Sequence, residues 1–188
     1  MNIFPMKEML YSIVYAISSL WRNTGVYILM YHSVGGDGPL SVSVEEFEWQ
    51  MRYIKERYDI LALDAVVARA RMAGPRPAVC ITFDDGFADL YRNAVPVLNR
   101  FAVSATFFIT TGSIGGMHRV FYGSELCMSV DDIRNLYAGG YEIGAHTVSH
   151  PKLAHIPIAM AQEEILQSKH TRNAITCGIS RSFAYPTG

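Results

Sequence analysis

The sequence is poor in cysteine and has no excess of charge of either sign. Only three of its 188 residues are cysteines, and Cys80, Cys127 and Cys177 are widely spaced without any Cys-x-x-Cys pair. Neither a disulfide framework nor a zinc ribbon is therefore indicated. The net charge is −1 at pH 7 and no basic stripe is present, which argues against nucleic acid as the main partner.

Long hydrophobic runs are also absent. The apolar stretch over 9–21 is too short to span a bilayer and is interrupted by serines, and no clear cleavage site of a signal peptide follows it. Four of its residues fall on one helical face: Leu10, Val14, Ile17 and Trp21. Residues 1–24 are therefore predicted to form a helical extension, either packed on the domain or lying in a membrane interface.

The rest of the chain alternates short β-rich runs with helical patterns. Strands are predicted over 26–32, 59–63, 78–83, 105–110, 141–145 and 182–185. Helices are predicted over 45–58, 64–72, 89–101, 130–138 and 158–169, and a glycine-rich loop over 112–123. Ser43 with Glu46 forms a capping-box pattern before the first helix, Ser129 caps the fourth, and Pro96 is expected to bend the third. Regular alternation of this kind predicts an α/β domain with a parallel sheet covered by helices.

Two short segments combine the residue types of a metal site. Thr-Phe-Asp-Asp-Gly (82–86) closes an apolar strand, and two histidines four residues apart, His146 and His150, follow another. Asp85, His146 and His150 make a two-histidine, one-carboxylate set that suits one divalent ion, with zinc favoured and cobalt, nickel or iron as alternatives. Asp84 is the natural general base, and Gly86 allows the turn that both carboxylates need.

The candidate residues lie at or just beyond the ends of predicted strands. His32, Asp84, Asp85, His146 and Tyr185 all follow apolar runs. In a parallel barrel these ends share one face, so the side chains are expected to converge there. Read separately, the two aspartates could be a polar turn or a helix N-cap, and the histidines a pair of exposed or hydrogen-bonded imidazoles.

Three segments carry a family resemblance: Thr-Phe-Asp-Asp-Gly (82–86), His-Thr-Val-Ser-His (146–150) and Arg-Ser-Phe-Ala-Tyr-Pro-Thr-Gly (181–188). The chain resembles polysaccharide deacetylases of carbohydrate esterase family 4, the nodulation-protein-B homology domain. The resemblance implies a distorted parallel (β/α) barrel over 25–188. It also implies removal of acetyl groups from an N-acetylated sugar by attack of metal-bound water on the amide carbonyl.

The resemblance also implies roles for single residues. Asp84 would be the base, and Asp85, His146 and His150 would bind the metal. The backbone N–H of Thr187 would help stabilise the oxyanion, with Tyr185 beside it as an oxyanion or substrate residue.

The catalytic acid is predicted from the first strand. Met30-Tyr31-His32 resembles a circularly permuted subgroup that includes the deacetylase of poly-N-acetylglucosamine. There the acid histidine comes from the first strand, which makes His32 the candidate; the alternative is a histidine that only caps a strand end. The other three histidines match no motif position and are predicted to lie in loops or at the surface: His118, His155 and His170.

Two departures from the family pattern stand out. Many members have an arginine in the third motif that orients the base, whereas this chain has Ala184 there and Arg181 as a candidate replacement. The chain also stops at residue 188, where the family continues with further strands and helices. A C-terminally truncated domain is therefore expected, with an open barrel seam and an exposed sheet edge.

Two alternative functions remain. The same site could act on another amide or on an acetyl ester, or the chain could be a non-catalytic glycan-binding or assembly subunit. Phe87, Tyr122 and Tyr185 are candidate sugar contacts, although each could equally belong to the core. The exact glycan, the oligomeric state and the compartment (bacterial cell envelope or cytoplasm) stay open at this point.

Overall fold

The computed structural model describes residues 25–72, 76–120, 123–179 and 181–187. The predicted helical extension over 1–24 lies outside the described residues. The strands are β1 Val26–Tyr31, β2 Ser33–Val34, β3 Ser41–Val42, β4 Asp59–Ile60, β5 Ala78–Phe83, β6 Thr106–Ile109, β7 Met117–Val120, β8 Gly123–Leu126 and β9 Glu142–Ala145. The α-helices are α1 Val44–Arg57, α2 Leu63–Arg71, α3 Val95–Phe101, α4 Val130–Ala138 and α5 Ile158–Thr176.

The main sheet is parallel, as predicted for an α/β domain of the deacetylase type. Its strand order is β1-β5-β6-β9, with β4 also paired to β5. β1 and β5 run in register over their whole length, from Val26 opposite Ala78 to Tyr31 opposite Phe83. All carboxyl ends therefore point to one edge of the sheet, where the candidate site residues follow the strands.

The prediction of a last strand over 182–185 is wrong in the length of the pairing. In the described part of this segment, residues 181–187, the pairing with β9 is an isolated parallel bridge between Ala145 and Phe183. The backbone N–H of Ala145 donates to Ser182 and that of Ala184 donates back to Ala145, both at 3.1 Å. The ladder does not extend further because β9 ends at Ala145 and Pro186 has no N–H to donate.

Helix boundaries follow local capping chemistry. The Ser43 hydroxyl accepts from the backbone N–H of Glu46 at 3.1 Å and completes the predicted capping box at the start of α1. The buried face of α1 carries Phe47, Met51 and Ile54, as the periodicity predicts. Ser129 forms the same kind of box at the start of α4.

The core is built on aromatic rings between the helices and the sheet. Every residue of β5 is buried, as expected for a central parallel strand. The rings of Phe83 and Phe107 stack with centroids 4.7 Å apart, and Tyr141 meets Phe107 edge-on at 5.5 Å. Each such ring contributes about 2–3 kcal/mol by burial, so this cluster anchors the strands that lead to the site.

Three predicted elements differ in detail. The helix over 89–101 begins with a π-helical turn, Leu90–Ala94, and Pro96 is the second residue of α3, which follows that turn directly. α5 extends to Thr176 instead of ending at residue 169. The glycine-rich loop contains the antiparallel hairpin β7–β8, with Val120 opposite Gly123.

Among the described helices, none combines the length and the apolar character that crossing a membrane requires.

Candidate metal centre

The two adjacent aspartates lie on a tight turn after β5. The backbone N–H of Asp84 still donates to the carbonyl of Tyr31 at 2.9 Å, as an extension of the strand pairing. Asp85 and Gly86 then both adopt left-handed backbone, with φ of 69° and 80°. A Cβ on Gly86 would lie 2.9 Å from the Ile109 side chain, so glycine suits this position on two counts. Both carboxylates are buried.

His146 follows β9 and is held from two sides. Its backbone N–H donates to the carbonyl of Ile109 at 3.0 Å. Its ring Nδ1 lies 2.9 Å from the carbonyl oxygen of Ala184. Because a carbonyl can only accept, Nδ1 carries the proton. In the neutral ring Nε2 then keeps a free lone pair, which is the usual orientation of a metal-binding imidazole. The third motif thus contacts the site through a backbone carbonyl.

A carboxylate on α5 shapes the loop between the two histidines. Glu164 accepts from the backbone N–H groups of Val148 and Ser149 at 2.8 and 2.9 Å, and from the Ser149 hydroxyl at 2.6 Å. Thr147 and His150 are left-handed, with φ of 65° and 58°. Such conformations cost about 1 kcal/mol or more each, and the bonds to Glu164 help to offset that cost.

Three imidazoles surround one oxygen of Asp85. The Nε2 atoms of His150, His146 and His118 lie 3.3, 3.5 and 4.0 Å from Asp85 Oδ1. This oxygen is buried and has no hydrogen-bond partner among the residues that the structure describes, which is costly for a carboxylate. Ligand atoms about 2.1 Å from a zinc ion in a tetrahedron lie about 3.4 Å from one another. The residues therefore fit a divalent cation, and such an ion would satisfy the unpartnered oxygen.

The prediction that His118 lies in a loop or at the surface is wrong. His118 is 5% exposed and lies in β7, and with Asp85 and His150 it forms a group whose ligand atoms all lie within 4.8 Å. It was missed because the segment has no motif and many glycines. The available signal was a short alternation, in which Met117 and Arg119 are exposed on either side of the buried histidine. His155 and His170 are exposed, as predicted.

The environments of the two aspartates push their pKa values apart. Burial raises the pKa of Asp84, against the opposing effects of His146 and His32. For Asp85 burial acts in the same direction, but the imidazoles of His146 and His150 outweigh it and the pKa is lowered. A carboxyl with a raised pKa is a stronger base, and one with a lowered pKa is ionised and ready to bind a cation.

The remaining predicted residues are distributed as follows. His32 directly follows β1, next to Tyr31, whose carbonyl accepts from the N–H of Asp84. The next residue, Ser33, donates a hydrogen bond to Asp89, which ties this strand end to the turn before α3. Tyr185 is 65% exposed, and Thr187 is exposed with left-handed backbone, φ 61°.

Two candidate residues lie away from the cluster. Arg181, the candidate replacement for the missing arginine, is exposed. Phe87 is 1% exposed and belongs to the core, so it is not available to a sugar. Tyr122 lies outside the described residues.

The sequence matches the model of the polysaccharide deacetylase family over residues 71–188. The chain belongs to this family. It is 30% identical to YxkH of Bacillus subtilis over 164 residues, which is 86% of this chain and 56% of YxkH. It is 31% identical to the poly-beta-1,6-N-acetyl-D-glucosamine N-deacetylase of Staphylococcus aureus over 110 residues, 57% of this chain and 37% of that enzyme.

The fold of this polysaccharide deacetylase domain is also that of solved relatives. The structure of IcaB from Ammonifex degensii superposes with a TM-score of 0.75 and 27% identity, covering 88% of this chain and 75% of IcaB. The sequence-based recognition of the family and of its fold is thereby confirmed. The chain spans roughly half or less of the curated relatives it matches, 56% and 37% of their lengths.

Proposed function

We propose that this domain is a metal-dependent hydrolase that removes N-acetyl groups from a poly- or oligosaccharide containing N-acetylglucosamine. The observation that carries the proposal is the buried, unpartnered Oδ1 of Asp85 with three imidazole nitrogens around it. Asp85, His146 and His150 would hold the ion. When bound, the ion supplies positive charge that activates a water molecule and polarises the amide carbonyl.

Asp84 is the proposed general base, which takes a proton from the attacking water. Support comes from its position next to Asp85 and from burial, which raises its pKa and makes the carboxylate more basic. A base with this role contributes about 10²–10⁴-fold to the rate. As the new C–O bond forms, the carbonyl oxygen gains negative charge.

One backbone group and one side chain of the third motif are proposed to contact the substrate. The N–H of Thr187 is proposed to donate to the developing oxyanion, and the exposed ring of Tyr185 is proposed to contact the sugar. Support for both is indirect: Ala184, in the same segment, bonds to His146 at 2.9 Å, so the segment lies beside the cluster.

His32 is the proposed acid, which protonates the amine nitrogen as the C–N bond breaks. The products are acetate and a free amino sugar. Support comes from its position directly after Tyr31, whose carbonyl accepts from the N–H of Asp84 at 2.9 Å, and from the Ser33–Asp89 hydrogen bond that fixes this end of β1.

The substrate class is proposed from the staphylococcal relative, whose name gives poly-β-1,6-N-acetyl-glucosamine. Chitin oligomers and peptidoglycan fragments have the same acetamido group and would enter the same chemistry. Residues outside the metal site and its base and acid would therefore determine which of these glycans is deacetylated fastest.

The test is acetate release from β-1,6- and β-1,4-linked N-acetylglucosamine oligomers with zinc or cobalt added. Asp84→Asn should lower acetate release by about 10²-fold or more while metal content stays unchanged. His146→Ala should lower both. Asp131→Asn is the matched control, because this aspartate is 86% exposed. If Asp84→Asn keeps its activity, the assignment of Asp84 as the base is wrong. If the wild-type chain binds oligomers without releasing acetate, the alternative of a glycan-binding subunit is favoured.

A further inference from the structure

We propose that His118 is a fourth protein ligand of the metal, so that three imidazoles and one carboxylate hold the ion. The inference rests on the metal site of the proposed function and extends it, since the ligand set in the family motifs has only two histidines.

His118 lies close to the carboxylate that the two motif histidines also approach. Its Nε2 is 4.0 Å from Asp85 Oδ1, the same oxygen that lies nearest the other two imidazoles. The ring of His118 also meets that of His150 edge-on, with centroids 5.1 Å apart, much as His146 meets His150 at 4.9 Å. The three rings thus line one side of the buried carboxylate.

The other ring nitrogen of His118 makes a hydrogen bond. His118 Nδ1 lies 3.0 Å from the Ser113 hydroxyl. With Nδ1 as donor to Ser113, the Nε2 lone pair faces the cluster. His146 has the equivalent bond from Nδ1 to Ala184. Such outer partners orient metal-binding imidazoles.

The hairpin that carries His118 is bonded through its backbone to the aspartate turn. The N–H of Met128 donates to the carbonyl of Gly86 at 2.9 Å, and Cys127 pairs with Phe87 in an antiparallel bridge. Cys127 also donates to Gly116, next to the start of β7, at 2.9 Å. The backbone therefore holds His118 in a fixed position relative to Asp85.

The separation of 4.0 Å between His118 Nε2 and Asp85 Oδ1 still allows both atoms to bind one ion. It exceeds the roughly 3.4 Å expected between neighbouring ligands of a tetrahedral ion, whereas His150 and His146 lie at 3.3 and 3.5 Å. Two atoms that are each about 2.1 Å from a zinc ion can lie up to about 4.2 Å apart.

The deciding experiment counts imidazoles on the zinc-loaded wild-type chain by X-ray absorption spectroscopy. Three imidazoles per zinc would support the proposal, and two would overturn it. Because this measurement needs no variant and no turnover, it separates the two proposals. Three imidazoles with no acetate release would overturn the proposed function alone, and acetate release with two imidazoles would overturn only the role of His118.

A second experiment measures zinc affinity by competition with a chelating dye. His118→Gln should weaken binding by about 10-fold or more, and Ser113→Ala should weaken it less because the ligand remains but is less well oriented. His155→Gln is the matched control, being the same change at an exposed histidine. Equal affinities for His118→Gln and His155→Gln, with native circular dichroism, would contradict the proposal.

Discussion

Glu164 allows a quantitative test of how the histidine loop is held. Its carboxylate accepts three hydrogen bonds, two from backbone N–H groups of Val148 and Ser149 and one from the Ser149 hydroxyl. Hydrogen bonds to a charged group contribute about 1.5–3 kcal/mol each. Ser149 is exposed, so water replaces part of what is lost, and Glu164→Ala is expected to destabilise the loop by about 2 kcal/mol in total.

The same perturbation should weaken metal binding. If the loop must be ordered before His150 can bind, a loss of about 2 kcal/mol lowers the apparent affinity by about 10–30-fold. Glu164→Gln should have a smaller effect, because its amide oxygen still accepts from the backbone but carries no charge. Zinc titration against a chelating dye measures the apparent affinity. Urea unfolding in EDTA measures the loss of stability of the metal-free chain.

The matched control is Glu163→Ala on the same helix. Glu163 bonds only to Gln167 in the contacts the structure describes, at 2.8 Å in an exposed i,i+4 pair, which contributes about 0.2–0.5 kcal/mol. This variant should bind zinc like the wild type. Should Glu164→Ala match Glu163→Ala in both assays, the argument that Glu164 holds the loop would be refuted.

Three further predictions concern packing, charge and reactivity. Gly112→Ala should destabilise the fold by about 1–3 kcal/mol, because the new Cβ would lie 2.5 Å from the Val148 carbonyl; Gly116→Ala, whose nearest atom is at 3.7 Å, is the control in thermal unfolding. Burial raises the pKa of Asp84 above 3.8, so the metal-free fold loses stability as pH rises through that pKa. Asp84→Asn removes this loss, so in urea unfolding the free energy of unfolding of the variant should exceed that of the wild type at pH 8. An equally large difference between the two at pH 4 would contradict the reasoning. Cys177 alone is exposed among the three cysteines, so a thiol reagent should modify one thiol in the native chain and three after unfolding.

The sequence by itself determined the family, the fold class and the local elements with strong chemical signals. Side-chain capping explains why: Ser43 and Glu46 complete their box within four residues, without help from the rest of the chain. β5 has the boundaries that its apolar run predicts, 78–83, because a central parallel strand is buried on both faces. The motif residues Asp85, His146 and His150 are brought together as the parallel arrangement of strand ends requires.

Only the tertiary structure decided which further groups join that cluster. His118 is thirty-three residues from Asp85 in sequence and lies in a short hairpin that is joined to Gly86 and Phe87 through Met128 and Cys127. Glu164 reaches the histidine loop from the second turn of a long helix. The last segment, over 182–185, forms one bridge instead of a strand because β9 ends beside it. These contacts join residues distant in sequence, so their geometry follows from packing, which local patterns do not encode.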